Sequence, residues 1–363
     1  MFHERARRFP APHYSAGMRE HHLKYLGCPN CQGSFRLGAN ARVERRIQAG
    51  TLQCQTCSAT FPIVDFIPRF VPLENYATSF GVEWNLHART QYDALSGVNA
   101  SERRFFEETQ WPREMSGEVI IEAGSGSGRF TEHALGTGAM VLSLDYSRAV
   151  ESNYRSNGEH ENLLLVQGDL FRIPFVQGCA DRVFCLGVIQ HTPNPYGALA
   201  SISNCVKPGG EIVADIYAKT FARYVLGTKY WVRPITRRIP PRLLYRITSR
   251  YVHLIWPLAR RVQRIPKLGR FVSWRLLVPD YSDVVNDERA LKEWARLDIF
   301  DMLAPRYDKP ARLATVRRWC QDLGLVSARV HPGYNGYEIH ARRPLSEKTD
   351  PARPAASPSL AHR

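Results

Sequence analysis

The sequence contains no run of 18 consecutive apolar residues, so no membrane-spanning helix is expected. Its first residues, MFHERARRFP, lack the apolar core of a secretory signal peptide. Only eight cysteines are present, and Cys179, Cys185, Cys205 and Cys320 are scattered in apolar surroundings, which indicates buried thiols rather than a disulfide framework. Together these absences predict a cytoplasmic protein in a reducing compartment.

Acidic residues are missing from the whole stretch between Asp215 and Asp280. The same stretch contains fifteen lysines and arginines, which equals the formal net charge of +15, so the rest of the chain is close to neutral. Arg242, Arg246 and Arg250 recur every four residues and therefore share one face of a predicted helix. The apolar side of that helix is formed by Leu243, Leu244, Ile247, Tyr251, Leu254 and Leu258.

Three kinds of partner suit this basic segment, residues 219–279. An anionic membrane would attract a basic amphipathic helix, and the protein would then be peripheral on the inner membrane face. RNA would contact the basic side chains through its phosphates and stack on the aromatic ones. A solvated cover over an anionic small substrate, or over nothing, is the third possibility. The many Leu and Ile residues favour the membrane over RNA, because an RNA-binding stripe does not need them.

A strand, a glycine-rich turn and a helix start are predicted in VIIEAGSGSGRF, residues 119–130. The apolar run ends at Glu122, and Gly124, Gly126 and Gly128 alternate behind it with serines. Glycine allows the backbone to approach a nucleotide-like ligand without interference from a Cβ atom. The stretch therefore predicts a ligand-binding turn, although a glycine-rich turn alone does not identify the ligand.

The spacing downstream identifies the fold class. A second apolar run ends at Asp145, 21 residues after Gly124, where a carboxylate suits the two hydroxyls of a ribose. Three more runs follow, at 162–166, 181–191 and 206–217, and the last begins with KPGG as a turn before its strand. Such strands alternate with helical segments, which predicts a doubly wound α/β sheet with its ligand at the carboxyl ends of the strands.

With these motifs, roughly residues 80–342 resemble the class I S-adenosylmethionine-dependent methyltransferases. EAGSGSG, the acid of LDYS, the acid of QGDL and KPGG occur in the family's order. The resemblance implies a Rossmann-like sheet and S-adenosylmethionine as the cofactor, with Asp145 on the ribose, Tyr146 against adenine, and Asp169 on the adenine amino group beside Leu170. The other implied cofactor-binding residues are Glu122, Gly124, Ser125, Gly126 and Gly128 near the methionine end, and Gln190.

Two CxxC pairs near the N-terminus predict a zinc ribbon. Cys28 and Cys31 form the first pair, Cys54 and Cys57 the second, and 22 residues separate the pairs. Tetrahedral zinc takes four soft ligands, and each CxxC turn provides two of them. The ribbon is small, so we expect the structural metal to carry its folding free energy. FPIVDFIPRFVP, residues 61–72, resembles the segment that follows the knuckles in zinc-ribbon activators of tRNA and release-factor methyltransferases.

These patterns predict a chain organised in several parts. An FGxEW segment at residues 80–84 resembles a lid helix of bacterial methyltransferases that act on small molecules or cell-surface polymers. The predicted parts are a flexible tail at 1–20, the zinc ribbon at 21–72, a helical lead-in or lid at 73–110, the methyltransferase core at 111–218 and 280–342, the basic helical insertion at 219–279, and a disordered tail at 343–363.

The residues after the fourth strand bear on the chemistry. Residues 186–193 read LGVIQHTP and lack the NPPY-type tetrad of enzymes that methylate adenine or glutamine nitrogens, which favours an O- or C-acceptor. His191 is placed at the carboxyl end of that strand and is the predicted general base, although it could merely orient a loop. Contact with the acceptor, or a capping or ion-pair role, is predicted for Asp298, Asp301, Arg306 and Tyr307.

The sequence thus predicts a methyltransferase acting on an O- or C-centre of a small or amphiphilic biosynthetic intermediate. An RNA methyltransferase is the alternative within the same class. A catalytically silent methyltransferase-fold scaffold is the alternative from another class, and the acids Glu122, Asp145 and Asp169 argue against it because a silent domain would not need them.

Overall fold

The computed structural model describes residues 17–72, 75–88, 90–93, 99–221, 225, 227–265, 268–283, 285 and 287–345. The predicted tails at 1–20 and 343–363 fall mostly outside these residues.

The N-terminal part is a four-stranded antiparallel sheet, which follows a 3₁₀ helix at Glu20–Tyr25. Its buried residues Leu26, Phe35 and Leu52 belong to the same hydrophobic cluster as Phe175 of the main domain. The ribbon is therefore packed against the rest of the protein and does not depend on a separate core. Its strands are β1 Phe35–Val43, β2 Arg46–Cys54, β3 Thr60–Val64 and β4 Ile67–Pro68, in the order β1-β2-β3-β4.

The main sheet has seven strands in the order β10-β11-β9-β8-β5-β6-β7. Strands β5 to β9 are parallel, and β10 and β11 form the predicted closing hairpin, which adds antiparallel to β9. The predicted doubly wound α/β class is confirmed. The strands are β5 Val119–Ala123, β6 Met140–Asp145, β7 Leu163–Gln167, β8 Ala180–Cys185, β9 Val206–Tyr217, β10 Val326–Pro332 and β11 Gly336–Arg342.

The KPGG segment differs from the sequence expectation. It is not a turn before the fifth strand but the first part of one long strand, β9, which begins at Val206. The irregularity is taken up in the pairing with β8, where the register shifts between Ala180 and Arg182. Gly209 has φ of +79°, a conformation that glycine adopts without strain, so the chain bends there without leaving the sheet.

Helices cover both faces of the sheet and precede it. The helices outside the basic segment are α1 Thr78–Leu86, α2 Ala100–Thr109, α3 Arg129–Leu135, α4 Val150–Asn157, α5 Pro195–Cys205 and α10 Leu313–Asp322, with a 3₁₀ turn at Ile189–His191.

Between β9 and β10 the chain forms a separate helical layer. Leu244, Val252 and Trp256 of one helix pack there against Trp294 and Phe300 of another, in a hydrophobic cluster of their own. Among the helices described, none combines the length and apolar content that a bilayer crossing needs. These helices are α6 Thr228–Thr236, α7 Pro241–Gln263, α8 Leu268–Arg275 and α9 Glu288–Leu303.

The sheet itself resumes only at Val326. Helix α9 falls in the predicted core segment 280–342, but it packs against the basic helices and not against the sheet's own cluster. The domain boundaries given above remain a prediction.

Candidate active site

A cavity of about 240 Å³ opens at the carboxyl ends of the parallel strands. It lies where the strand order reverses, between β5 and β8, and open α/β sheets bind their ligands at such a point. Its wall is built from the glycine turn, the ends of β6, β7 and β8, the lead-in helix α1 and helix α9. We call the part beside the glycine turn and Asp145 the cofactor end, and the part beside α9 the acceptor end.

The glycine turn has the backbone that the sequence predicts. Gly124, Gly126 and Gly128 have φ of +86°, +54° and +92°. Gly124 and Gly126 lie on the cavity wall with Ser125, whereas Gly128 is the N-cap of α3 and does not line the cavity. A Cβ atom on Gly126 would stand 3.2 Å from the indole of Trp84, whereas one on Gly128 would overlap the Asn153 side chain at 2.2 Å. Gly126 therefore keeps space open at the cavity, and Gly128 permits packing within the protein.

Asp145 ends β6 on the cavity wall, where the sequence places the ribose-binding acid. Its Oδ2 accepts from the Gly126 amide at 2.9 Å, and its Oδ1 accepts from the Ser147 amide and hydroxyl at 2.8 and 2.7 Å. Burial raises the pKa of this carboxyl. These bonds fix both oxygens, and a carboxylate has further acceptor capacity for a diol.

Glu122 departs from its predicted place. Its side chain is 2% exposed and is absent from the cavity wall. One carboxylate oxygen accepts from the hydroxyls of Thr131 and Ser143, and burial raises the pKa of the group to about 7. The carboxyl joins β5 and β6 to α3, and its contact with the methionine end of the cofactor stays a prediction.

The adenine-side residues meet around an aromatic pair that the sequence did not reveal. Tyr76 stacks on Tyr146 with ring centroids 4.7 Å apart, and both line the cavity together with Leu170. Asp169 is not on the wall; its Oδ1 accepts from the Phe171 amide at 2.9 Å, although its charge contributes to raising the Tyr76 pKa. Tyr76 could have been noticed only as an aromatic residue ahead of the FGxEW segment.

Gln190 also lies behind the wall rather than on it. The residue is fully buried, and within the described part of the chain neither its Oε1 nor its Nε2 has a hydrogen-bond partner. Its backbone carbonyl accepts from the Lys309 amide at 2.8 Å. Direct contact between this side chain and a cofactor in the cavity is not supported.

His191 lies on the cavity wall, in the 3₁₀ turn after β8. Its Nδ1 is 3.1 Å from the backbone carbonyl of Tyr307, and the rings of Phe80 and Tyr217 contact its imidazole edge-on at 5.3 and 5.4 Å. A carbonyl can only accept, so Nδ1 carries the proton and the neutral ring has its lone pair on Nε2. The ring is thus oriented and in the tautomer that a general base at Nε2 requires.

The acceptor end is acidic. Asp298 and Asp301 line it, whereas Arg306 and Tyr307 do not; Tyr307 acts through its carbonyl on His191. The Tyr281 hydroxyl donates to Asp298, and burial raises the pKa of Asp298 to about 6. Glu83 of α1 lies close enough for both acids to raise its pKa further, after burial as the main cause. Its two carboxylate oxygens are buried without a hydrogen-bond partner in the described structure.

A buried network of charged side chains includes Arg104, which lines the acceptor end. Arg104, on the cavity wall, donates to Asp215 at 2.9 Å and to Glu108 at 2.6 Å. Asp215 also accepts from the Gly187 amide and from Asn335. Sequence patterns missed this set because its members lie on α2, β8, β9 and the β10–β11 hairpin and share no local motif.

The four predicted zinc ligands come together as predicted. Cys28 Sγ is 3.7 Å from Cys57 Sγ, Cys31 Sγ is 3.5 Å from Cys54 Sγ, and all four sulfur atoms lie within 4.8 Å of one another. Around a tetrahedral zinc with Zn–S bonds of about 2.3 Å, sulfur atoms would be roughly 3.8 Å apart. The cluster therefore fits a zinc ion. None of the four cysteines lines the cavity, so the metal would have a structural role.

Comparison with known proteins agrees with this geometry. Residues 121–214 match the family described as a methyltransferase domain, which spans β5 to β9 and confirms the predicted methyltransferase domain for this part of the chain.

Curated relatives match over limited regions. An uncharacterised chloroplastic methyltransferase of Arabidopsis thaliana is 26% identical over 53% of this chain and 62% of its own. The ubiquinone biosynthesis O-methyltransferase of Xanthomonas oryzae pv. oryzae is 26% identical over 34% of this chain and 54% of its own. The chain thus spans little more than half the length of these relatives. Human N-acetylserotonin methyltransferase resembles this chain in structure, with a TM-score of 0.37 and 14% sequence identity. The match covers 76% of this chain and 60% of that one, and it is a distant likeness.

Proposed function

We propose that this chain, whose residues 121–214 form a methyltransferase domain, transfers the methyl group of S-adenosylmethionine to an oxygen or carbon of a small or amphiphilic intermediate. The observation that carries the proposal is that one cavity is lined both by the glycine turn with Asp145 and by His191 with Asp298 and Asp301. The cofactor's sulfonium supplies an electrophilic methyl group when it is bound.

The residues of the cofactor end fit this ligand. Gly126 has no Cβ atom at the wall, where one would stand 3.2 Å from Trp84, and Asp145 offers a fixed carboxylate to the ribose hydroxyls. Tyr146 and Leu170 provide an apolar surface for adenine, and the ring of Tyr76 stacks on that of Tyr146.

At the acceptor end, the chain's own task is to orient the acceptor and remove a proton. Nε2 of His191 would take the proton of the acceptor O–H or acidic C–H, which leaves the acceptor atom free to receive the methyl group. The positive charge that develops on the imidazole is stabilised by the Tyr307 carbonyl on Nδ1–H, and the packed rings of Phe80 and Tyr217 restrict the orientation of the imidazole.

The names of two relatives agree with an acceptor of this class. One is the ubiquinone biosynthesis O-methyltransferase already described, and the other is the demethylmenaquinone methyltransferase of Corynebacterium kroppenstedtii, 25% identical over 44% of this chain. We therefore infer a quinone-like or lipid-linked acceptor as the first class to test.

Isothermal titration of S-adenosylmethionine into the zinc-loaded protein tests the proposal. We expect micromolar binding, followed by transfer of radiolabelled methyl groups into the organic phase of a lipid extract. If the folded protein does not bind S-adenosylmethionine, the enzyme is excluded and the silent scaffold replaces it. Label that enters added RNA instead of lipid would establish the RNA methyltransferase.

A further inference from the structure

Exposed apolar side chains are concentrated in the basic segment. Of the seventeen large hydrophobic residues that are exposed in the described part of the chain, ten lie between Phe221 and Phe271. They are Phe221, Val225, Trp231, Ile235, Leu243, Ile247, Leu254, Leu258, Ile265 and Phe271.

Helix α7 shows that this exposure is not a remnant of core packing. Leu244, Val252, Trp256 and Ala259 form its buried face and pack in the cluster with α9. On the opposite side, an outer stripe at helical spacing consists of four aliphatic residues that are 47–79% exposed. They are Leu243, Ile247, Leu254 and Leu258. The helix thus has one apolar face that the fold uses and a second that the described structure leaves uncovered.

The charges divide in the same way. Lys229, Arg233 and Arg260 form ion pairs with acids of the protein, to Asp308, Asp280 or Glu288. The exposed arginines beside the outer stripe do not: in the described residues, Arg242, Arg246, Arg250 and Arg261 take part in no ion pair. Their charge is available to an external anion.

We propose that the outer face of α6 and α7, formed by Trp231, Ile235, the four aliphatic residues of the outer stripe and the neighbouring arginines, docks on an anionic lipid bilayer. Aliphatic side chains enter the boundary between headgroups and acyl chains, and guanidinium groups bind lipid phosphates above it. Charge complementarity selects an anionic surface, and the aliphatic stripe selects lipid over RNA, which has no apolar layer to receive it.

The docking face is connected to the cavity through packed elements. The Tyr245 hydroxyl of α7 lies 3.0 Å from His87 Nε2, at the end of α1, and its ring packs edge-on against Phe300 of α9. Helix α1 supplies Trp84 and α9 supplies Asp298 to the cavity wall. A docked α7 therefore holds the acceptor end next to the bilayer, which assigns the acceptor to amphiphiles carried in the membrane. This assignment of the acceptor rests on the proposed methyl transfer; the docking face does not.

Vesicle flotation of the full chain tests the docking face. We expect the protein to float with phosphatidylcholine vesicles that contain phosphatidylglycerol, to float poorly with phosphatidylcholine alone, and to be released by salt. The double variants Ile247→Asp/Leu254→Asp and Arg246→Glu/Arg250→Glu should bind at least about tenfold more weakly. The matched controls are Val326→Asp and Arg318→Glu. Both alter exposed residues, in β10 and α10 respectively, and both variants should bind vesicles as the unaltered protein does.

The proposal is overturned if the unaltered protein ignores anionic vesicles at low salt, or if both double variants float as well as the controls. Binding to single-stranded RNA without binding to vesicles would also overturn it, in favour of a nucleic-acid surface. Thermal melting and titration of S-adenosylmethionine on the same samples separate the two proposals, because loss of docking with intact cofactor binding leaves the methyltransferase proposal standing.

Discussion

The two ends of the cavity are built in different ways. The cofactor end takes its main residues from successive strand ends, at 124–127, at 145–146 and at Gly168 and Leu170, so short sequence motifs reveal it. The acceptor end combines Arg104, Tyr281, Asp298 and Tyr334, which come from four separate elements or loops. The difference shows that one end of a cavity can be built from local turns, whereas the other is built from side chains that only packing brings together.

The largest effect is expected from Asp145→Ala, which should break the cofactor end alone. Two charge-assisted hydrogen bonds to the ribose would be lost, which corresponds to roughly a hundredfold weaker binding of S-adenosylmethionine. Titration calorimetry measures it. Asp298→Asn, at the other end of the same cavity, is the matched control and should keep the affinity. Equal losses in both variants would mean that the two ends are not separable.

His191→Ala should have the converse effect and lower turnover by about a hundredfold while cofactor affinity is unchanged. His191→Asn sharpens the test, because its amide can still donate to the Tyr307 carbonyl from near the Nδ1 position but has no base at the Nε2 position. Labelled methyl transfer to lipid extract is the measurement. If His191→Asn restores turnover, the histidine only positions the loop and the general-base role is refuted.

Removal of zinc should lower the affinity for S-adenosylmethionine by a smaller factor, about tenfold, because the ribbon contacts residues that hold the cofactor end in place. Arg69 Nη1 donates to Gln167 Oε1 at 2.9 Å, and Gln167 Nε2 donates in turn to the Tyr146 carbonyl at 3.1 Å. Chelation followed by calorimetry, with metal analysis of the starting protein, provides the test. A protein that contains no zinc, or one whose cofactor affinity survives chelation, would contradict this coupling.

The smallest effect concerns stability at the acceptor end. Burial, reinforced by Asp301 and Asp298, raises the pKa of Glu83 well above its usual range. The folded state therefore binds a proton that the unfolded state releases, and stability falls as pH rises from the unfolded pKa through the folded one. Glu83→Gln should remove this loss and stabilise the protein above that range by about 1–3 kcal/mol. Thermal melts of both proteins at pH 4 and pH 8 should diverge only at the higher pH.

Much of the fold and half of the site could be predicted from the residues alone. Alternating apolar runs predicted the parallel strands, and the acid after β6 predicted Asp145, because strand ends and tight turns are local consequences of sequence. Glu122 and Gln190 show the limit of that reasoning. Gln190 precedes the cavity-lining His191 and Glu122 lies two residues before the cavity-lining Gly124, yet both side chains are buried behind the wall, and a motif does not specify which direction a side chain takes in the packed structure.

By itself, the sequence determined the four clustered cysteines, the glycine turn and the basic character of residues 219–279, since each depends on composition or on spacing of a few residues. Only the tertiary structure decided that Leu244 is buried while Leu243 and Leu254 face outward, and that Arg104, Asp215 and Asn335 meet under the cavity. The physical reason is that burial and charge pairing depend on which distant elements pack together, and helix α9 against α7 and the β10–β11 hairpin against β9 are such contacts.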